Sequence, residues 1–254
     1  MKTDQLFQHY LKEAETDFSG WDFSHVTETG RLASGMLSWS YGSMAKTLMA
    51  ESTSMLDMGT GGGELLSKLQ PFPPRVCATE GYKPNFPIAK GRLEPFGVKV
   101  VEVEPDNQLR FPDKHFDLII NKHEEYEPSE VRRVLQDGGT FLTQQVGWSD
   151  CQDINRLLGA PVNEEYAHWN LEFAHKQLEG HGFKVLLSKQ EFPVQRFYDI
   201  GALIYYLKAI PWQVVDFSVE DYLDPLYELH LKIRRAGYLD IKQDRFVLRA
   251  AVGI

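Results

Sequence analysis

The sequence predicts an α/β protein built on a seven-stranded, mostly parallel sheet with helices on both sides. An apolar strand at residues 55–58 runs directly into a glycine-rich loop, and a second apolar strand at residues 76–79 ends in an acid. Strand-like and helix-like segments then alternate, as they do in βαβ units with parallel strands. The seven predicted strands are residues 55–58, 76–79, 98–103, 116–121, 140–146, 183–187 and 244–252. Helical patterns at residues 129–135 and 170–180 lie between the later strands.

The glycine-rich loop after the first strand has the pattern D-x-G-x-G-x-G, beginning at Asp57 and including Gly59 and Gly61. Glycine at these positions lets the backbone approach a ligand closely. Glu80 ends the second strand about twenty residues past the first glycine, the spacing at which an acid binds ribose hydroxyls. Because one glycine pair could merely pack a helix on a sheet, it is the combination of signals that predicts a nucleoside-bearing cofactor.

The residue at position 64 distinguishes between two kinds of cofactor. Dinucleotide sites have the pattern G-x-G-x-x-G, and counting from Gly59 puts Glu64 at the third glycine. A carboxylate there would repel a pyrophosphate. S-adenosylmethionine has no phosphate and carries a sulfonium cation, and Asp57 could accept a hydrogen bond from its ammonium group. The sequence therefore predicts S-adenosylmethionine as the cofactor and makes an oxidoreductase the weakest alternative.

With these motifs, about residues 50 to 190 resemble the class I S-adenosylmethionine-dependent methyltransferases. The further motifs are L-x-F-x-D-x-x-F-D-L-I, which enters the fourth strand, and R-x-L-x-x-G-G-x-F, which leads into the fifth. Residues 121–147 also resemble an uncharacterised bacterial subgroup of that family. The resemblance implies a three-layer α/β/α fold whose last strand runs antiparallel. Apolar residues at helical spacing also predict N-terminal helices, and two helical patterns, at residues 198–210 and 219–236, predict a helical insertion before the last strand.

The predicted cofactor-binding residues combine the loop, the acid after the second strand and positions taken from the resemblance. They are Asp57, Gly59, Thr60, Gly61, Glu80, Asp106, Asn107 and Asn121. Asp106 and Asn107 depend on the resemblance alone, because family members place an acid before L-x-F-x-D that binds the adenine amino group. In those proteins, a neighbouring backbone amide binds a ring nitrogen.

The predicted catalytic residues, His123 and Glu124, follow the fourth strand, and open α/β sheets bind ligands beyond the carboxyl ends of their strands. His123 titrates near neutral pH and could take a proton from a hydroxyl or an amine. The alternatives are an exposed or helix-capping histidine and, for Glu124, a solvated charge in the first turn of a helix. Candidate substrate contacts farther along are Gln144, Gln145, Trp148, His168 and Trp169.

Composition favours a globular catalytic domain that acts on a small molecule. The 254 residues are 43% hydrophobic, and the net charge of −9 weighs against a large surface that neutralises nucleic-acid phosphates. Two cysteines imply no disulfide framework, and the first eight residues show no secretory signal, so we expect a reducing cytoplasm. The most apolar window, residues 197–212, is too short to span a bilayer, so we expect no membrane partner.

A small organic methyl acceptor is the default expectation because features of other substrate classes are missing. Enzymes that methylate exocyclic nucleobase amines have Pro-Pro and an aromatic residue after an Asn or Asp, whereas Asn121 is followed by Lys-His-Glu. Two scattered cysteines supply too few thiolates to hold arsenic, and no metal-ligand spacing is visible. The alternatives are an RNA methyltransferase, which would need a basic cleft face, and a non-catalytic S-adenosylmethionine-binding regulatory module.

Four segments are predicted along the chain. Residues 1–52 form an N-terminal helical cap, 53–195 the methyltransferase core, 196–240 a helical insertion or lid, and 241–254 the last strand of the core sheet. The insertion is rich in aromatic residues. It either packs them into a small core of its own or lines an apolar substrate pocket.

Overall fold

The structure is a computed structural model that describes residues 4–19, 21–103 and 108–253. The strands are β1 Leu32–Ser34, β2 Ser54–Met58, β3 Arg75–Glu80, β4 Lys99–Glu102, β5 Phe116–Lys122, β6 Leu135–Val146, β7 Phe183–Glu191, β8 Val194–Phe197, β9 Leu239–Lys242 and β10 Arg245–Val252. The α-helices are α1 Gln5–Leu11, α2 Ser24–Thr27, α3 Tyr41–Met49, α4 Asn85–Leu93, α5 Pro128–Val134, α6 Gln152–Leu158, α7 Leu171–Gly180, α8 Ile200–Ala209 and α9 Leu223–Ala236. No helix among these described residues is long and apolar enough to cross a membrane.

Seven of the strands form the main sheet in the order β4-β3-β2-β5-β6-β10-β7. The pairs from β4 to β6 are parallel, while β10 is antiparallel to both of its neighbours, β6 and β7. This confirms the predicted seven-stranded, mostly parallel sheet with an antiparallel last strand. The carboxyl ends of β2, β3 and β5 therefore lie at one edge, where Asp57, Glu80 and Asn121 are found.

Helices cover both faces of the main sheet because its central strands are apolar on both sides. Leu118 and Ile120 of β5 pack in one core with α3 and α4, while Ile119 between them packs in the opposite core with α5 and α7. Each of these side chains is at most 1% exposed, and burial of each contributes about 1.5 to 3 kcal/mol. The near-continuous apolar run that identified this strand in the sequence is thus explained.

A third apolar core joins the N-terminal segment to the region around α8 and α9. It contains a three-stranded antiparallel sheet of β1, β8 and β9, which was not predicted from the sequence. The two predicted helical patterns of the insertion are present but shorter, as α8 and α9. Arg31 joins the two regions through two hydrogen bonds of 2.8 Å to the Asp199 carboxylate, and it also pairs with Glu13.

Candidate active site

The glycine-rich loop holds two glycines in the left-handed region, Gly59 at φ 64° and Gly61 at φ 63°. A side chain at Gly59 would collide with Glu124, and a Cβ at Gly61 would lie 2.8 Å from Cδ1 of Trp21. Both positions therefore require glycine for backbone conformation and for space. Trp21 belongs to the N-terminal segment and was not among the predicted site residues.

An α-helix does not follow the loop directly, because only a 3₁₀ turn, Leu66–Lys68, precedes β3. Phosphate sites in α/β proteins use the backbone N–H groups and the dipole of a helix N-terminus. Glu64, at the third-glycine position, pairs with Arg92. The loop thus combines a carboxylate with a short turn, an arrangement unsuited to pyrophosphate.

Two acids lie buried at the ends of β2 and β3. Asp57 is 8% exposed and Glu80 is 5% exposed, and neither has an ion-pair partner among the residues described. Burial raises the pKa of Asp57 to about 7, with the Lys122 charge opposing and the Glu80 charge adding to the increase. Burial also raises the pKa of Glu80, although the Tyr82 N–H donates to its carboxylate at 2.7 Å. Buried carboxylates without a counterion are costly, so this pair favours a cationic ligand.

Three buried polar atoms near these acids have no hydrogen-bond partner within the described part of the chain: the Tyr41 hydroxyl, Oγ1 of Thr60 and Nδ2 of Asn121. Oδ1 of Asn121 accepts from the Thr143 hydroxyl at 2.8 Å and from Nε2 of Gln145 at 2.6 Å. Asn121 is 0% exposed, so its amide is held inside the sheet. Unpartnered polar atoms are uncommon in protein interiors and need an explanation. Their clustering here is consistent with a polar ligand beside the loop.

His123 and Glu124 lie in the turn after β5, where His123 has φ 61° and its backbone N–H donates to the Gln144 carbonyl at 2.8 Å. The Glu124 side chain lies over Gly59, and burial, together with the Glu80 and Glu125 charges, raises its pKa to about 7. His123 is exposed and lines the larger of two cavities described below. Desolvation by the surrounding residues, with help from the Lys122 charge, lowers its pKa well below its ordinary value.

The protonation of His123 is set by a chain of hydrogen bonds. Nε1 of Trp39, which can only donate, donates to Oε1 of Gln144 at 2.8 Å. The Gln144 amide nitrogen then faces Nε2 of His123 at 3.0 Å and donates to it. The neutral ring therefore carries its proton on Nδ1, and Nε2 is already engaged as an acceptor. Gln144 is 5% exposed, so it holds His123 and is not positioned as a substrate contact.

Two cavities meet at Glu124, Glu125 and Tyr126, which line both. The smaller, of about 280 Å³, lies at the loop and the ends of β2 and β3. The larger, of about 860 Å³, extends over the ends of β5 and β6. Other predicted site or substrate residues that line the larger cavity are His123, Gln145, Trp148, His168 and Trp169.

The remaining predicted contacts have different positions. Gly59 lines the smaller cavity, whereas Asp57 and Glu80 lie just behind its described lining, next to Met58 and Gly81. Asp106 and Asn107 fall outside the described residues. Trp21 and Trp212 line the larger cavity and meet edge to face, with ring centroids 5.7 Å apart. Sequence reasoning missed Trp21 because only folding brings it near the loop.

The sheet order, the left-handed glycine loop and the acids at the ends of β2 and β3 define the class I methyltransferase fold. Residues 56–143 match the family model described as a methyltransferase domain. The fold and this match confirm the resemblance to the class I S-adenosylmethionine-dependent methyltransferases. No curated protein has a detectably similar sequence.

Solved structures share the fold at low sequence identity. A candidate methyltransferase from Bacillus halodurans is 16% identical with a TM-score of 0.58, and the match covers 84% of this chain and 97% of that one. The YcgJ protein of Bacillus subtilis is 13% identical with a TM-score of 0.58, covering 84% and 98%. The cyclase SpnF is 15% identical with a TM-score of 0.54, covering 98% and 96%.

Proposed function

We propose that the protein is an S-adenosylmethionine-dependent methyltransferase that acts on a small-molecule acceptor. The observation that carries this proposal is the pair of cavities that meet at Glu124, Glu125 and Tyr126, one at the glycine loop and one beyond it. A transferase needs two adjoining sites of this kind, one for the donor and one for the acceptor. Alignment of the two reactants and exclusion of water can supply about 7 to 11 kcal/mol of the barrier reduction.

The residues around the loop fit the proposed cofactor. The buried Asp57 has no ion-pair partner among the described residues and would accept from the ammonium group of the amino-acid portion, while Glu80 would accept from the ribose hydroxyls. Gly59 and Gly61 would let the loop backbone lie close to the cofactor once the Glu124 side chain has moved away from Gly59. When bound, S-adenosylmethionine supplies a methyl group activated by the sulfonium charge. Asp106 and Asn107 remain proposed adenine contacts.

Glu124 is the stronger candidate for a general base. Its carboxylate lines both cavities, and its pKa of about 7 suits a group that accepts a proton near neutral pH. His123 also lines the larger cavity, but Nε2 already accepts from Gln144. We therefore assign His123 the role of a neutral hydrogen-bond donor through Nδ1. A base is required only when the acceptor arrives protonated.

Two alternatives are less well supported. An RNA substrate would require phosphate neutralisation, yet no described residue that lines the larger cavity is Lys or Arg. A non-methylating function is the second alternative, because the fold neighbour SpnF is named a cyclase. The methyltransferase family match over residues 56–143 favours methyl transfer.

Calorimetry on the full chain tests the proposal. We expect S-adenosylhomocysteine to bind with a dissociation constant near the micromolar range, about −8 kcal/mol, and NAD to show no comparable binding. Tight NAD binding with no response to S-adenosylhomocysteine would overturn the cofactor assignment. Cofactor binding without turnover of any acceptor would instead favour the regulatory module.

A further inference from the structure

We propose that the larger cavity binds an organic cation: a small molecule with a flat apolar body and a basic amine, and without phosphate or carboxylate groups. The inference rests on the proposed function only in treating this cavity as the acceptor site. Three independent features carry it: the aromatic walls, the charges and one buried hydroxyl.

The walls of the larger cavity concentrate the tryptophans of the chain. Four of the five, Trp21, Trp148, Trp169 and Trp212, line it. Trp21 is 46% exposed and Trp212 is 53% exposed, so much of each indole ring is accessible to a ligand in the cavity. Tryptophan is the strongest aromatic partner for a cation, and its faces also cover flat apolar groups. Such walls suit a ligand that combines both properties.

The charges in the larger cavity have one sign. Glu124, Glu125 and Glu165 line it without an ion-pair partner in the described ranges, while the fourth acid, Asp150, pairs with Arg245. No Lys or Arg is found among the described lining residues. Uncompensated carboxylates in a cleft with low-dielectric walls attract cations and repel anions. The cavity therefore selects against phosphates and carboxylates.

A buried phenol gives a further indication of a ligand. Tyr126 lines both cavities and is 8% exposed, and its hydroxyl has no hydrogen-bond partner among the described residues. Burial raises the pKa of Tyr126, so the group stays neutral and can both donate and accept. Because Tyr126 itself lines both cavities, a polar ligand group that enters at their junction and reaches the buried hydroxyl would supply the missing partner.

Binding of three matched probes to the full chain tests the proposal. Phenethylamine, 2-phenylethanol and phenylacetate share a ring and differ in charge, and quenching of tryptophan fluorescence reports binding without any turnover. We expect phenethylamine to bind about tenfold or more tighter than phenylacetate, with 2-phenylethanol between them. Added salt should reduce the difference, since screening weakens charge interactions.

Matched variants then test the charges. The double variant Glu125→Gln, Glu165→Gln should bring the affinities for phenethylamine and phenylacetate closer together. The affinity for 2-phenylethanol should stay unchanged. Both residues are exposed, so the variant should fold. Glu51→Gln, an exposed change just before β2 at the opposite edge of the sheet, should alter none of the three affinities.

Two results would overturn the inference: phenylacetate binding as tightly as phenethylamine, or no phenethylamine binding up to millimolar concentration. S-adenosylhomocysteine is titrated in parallel. If it binds while the charge preference is missing, the proposed function stands and the acceptor class is wrong. If the preference is present but S-adenosylhomocysteine does not bind, the cavity assignment stands and the cofactor assignment is wrong.

Discussion

Trp39 donates its indole N–H to Oε1 of Gln144 at 2.8 Å, and this bond determines which way the Gln144 amide faces His123. With the amide nitrogen toward Nε2, protonation of that nitrogen would place two donors against each other. The hydrogen bond and the desolvating cleft walls thus act in the same direction, and both hold His123 neutral.

Replacing Trp39 should free His123 from the fixed hydrogen bond that Gln144 donates to Nε2. In Trp39→Phe, Gln144 can turn its oxygen toward Nε2, so we expect the pKa of His123 to rise toward its ordinary value and the Nδ1 tautomer to lose its dominance. Nitrogen chemical shifts of the ring across a pH titration measure both. Trp212→Phe, which leaves Gln144 untouched, is the control for the tautomer. An unchanged tautomer in Trp39→Phe would show that Gln144 does not orient the ring.

Loss of the Glu80 carboxylate should weaken cofactor binding. Removing hydrogen bonds between a charged group and the ribose hydroxyls costs about 1.5 to 3 kcal/mol, so Glu80→Ala should bind S-adenosylhomocysteine correspondingly less tightly in calorimetry. Glu102→Ala, an exposed change at the position paired with Glu80 on the neighbouring strand, should bind as the native chain does. Equal affinities in the two variants would show that Glu80 does not bind the ribose.

Gly59 should be required for the cofactor and not only for folding. Gly59→Ala places a side chain at φ 64°, which costs about 1 to 2 kcal/mol, and it collides with Glu124. Gly97→Ala has the same kind of backbone strain at φ 83° but meets open space. Denaturant unfolding should show both variants destabilised, while calorimetry should show cofactor binding lost only in Gly59→Ala. Normal binding in Gly59→Ala would contradict the assigned cofactor loop.

Cofactor binding should depend on pH through Asp57. Its pKa is about 7 in the folded chain, above its ordinary 3.8, so between these values the folded state holds more protons than the unfolded state. The free energy of unfolding contributed by Asp57 is therefore largest below the ordinary value and decreases as pH rises toward 7. A cationic ligand favours the ionised acid, so binding should strengthen as pH rises toward 7 and should release protons.

Calorimetry with S-adenosylmethionine in two buffers of different ionisation enthalpy measures that proton release. Asp57→Asn should reduce the release and weaken binding, and it should stabilise the cofactor-free chain at pH 8. Identical proton release in the variant and the native chain would assign the titration to another group, with Glu124 the first to test because its pKa is also about 7.

Residues 196–240, together with the N-terminal segment, should close over the cleft when cofactor binds. Trp21 touches the glycine loop and Trp212 touches Trp21, so a change at the loop reaches both segments. Hydrogen exchange should show added protection around residues 196–240 when S-adenosylhomocysteine binds. If only residues 53–195 gained protection, residues 196–240 would be a structural addition that does not close over the cleft.

The central strands and the loop could be predicted because their signals are local. Asp57, Gly59 and Glu80 lie at fixed spacings within two successive parallel strands and the loop between them, and the apolar run of residues 116–121 predicts β5. The small sheet of β1, β8 and β9 could not be predicted, since its strands have three or four residues and depend on partners far along the chain. The neutral state of His123 was missed for the same reason, because it depends on contacts from Trp39 and Gln144.

The position of β10 has a consequence for how this chain assembles. β10 follows every other strand in the sequence but lies between β6 and β7, and the described residues show no pairing of those two strands with each other. Until β10 inserts, β6 has an open edge beside Gln144 and Gln145, the residues that support His123 and Asn121. The site thus reaches its final form only once β10 has inserted, and a chain shortened before Arg245 would leave β6 free to pair with other molecules.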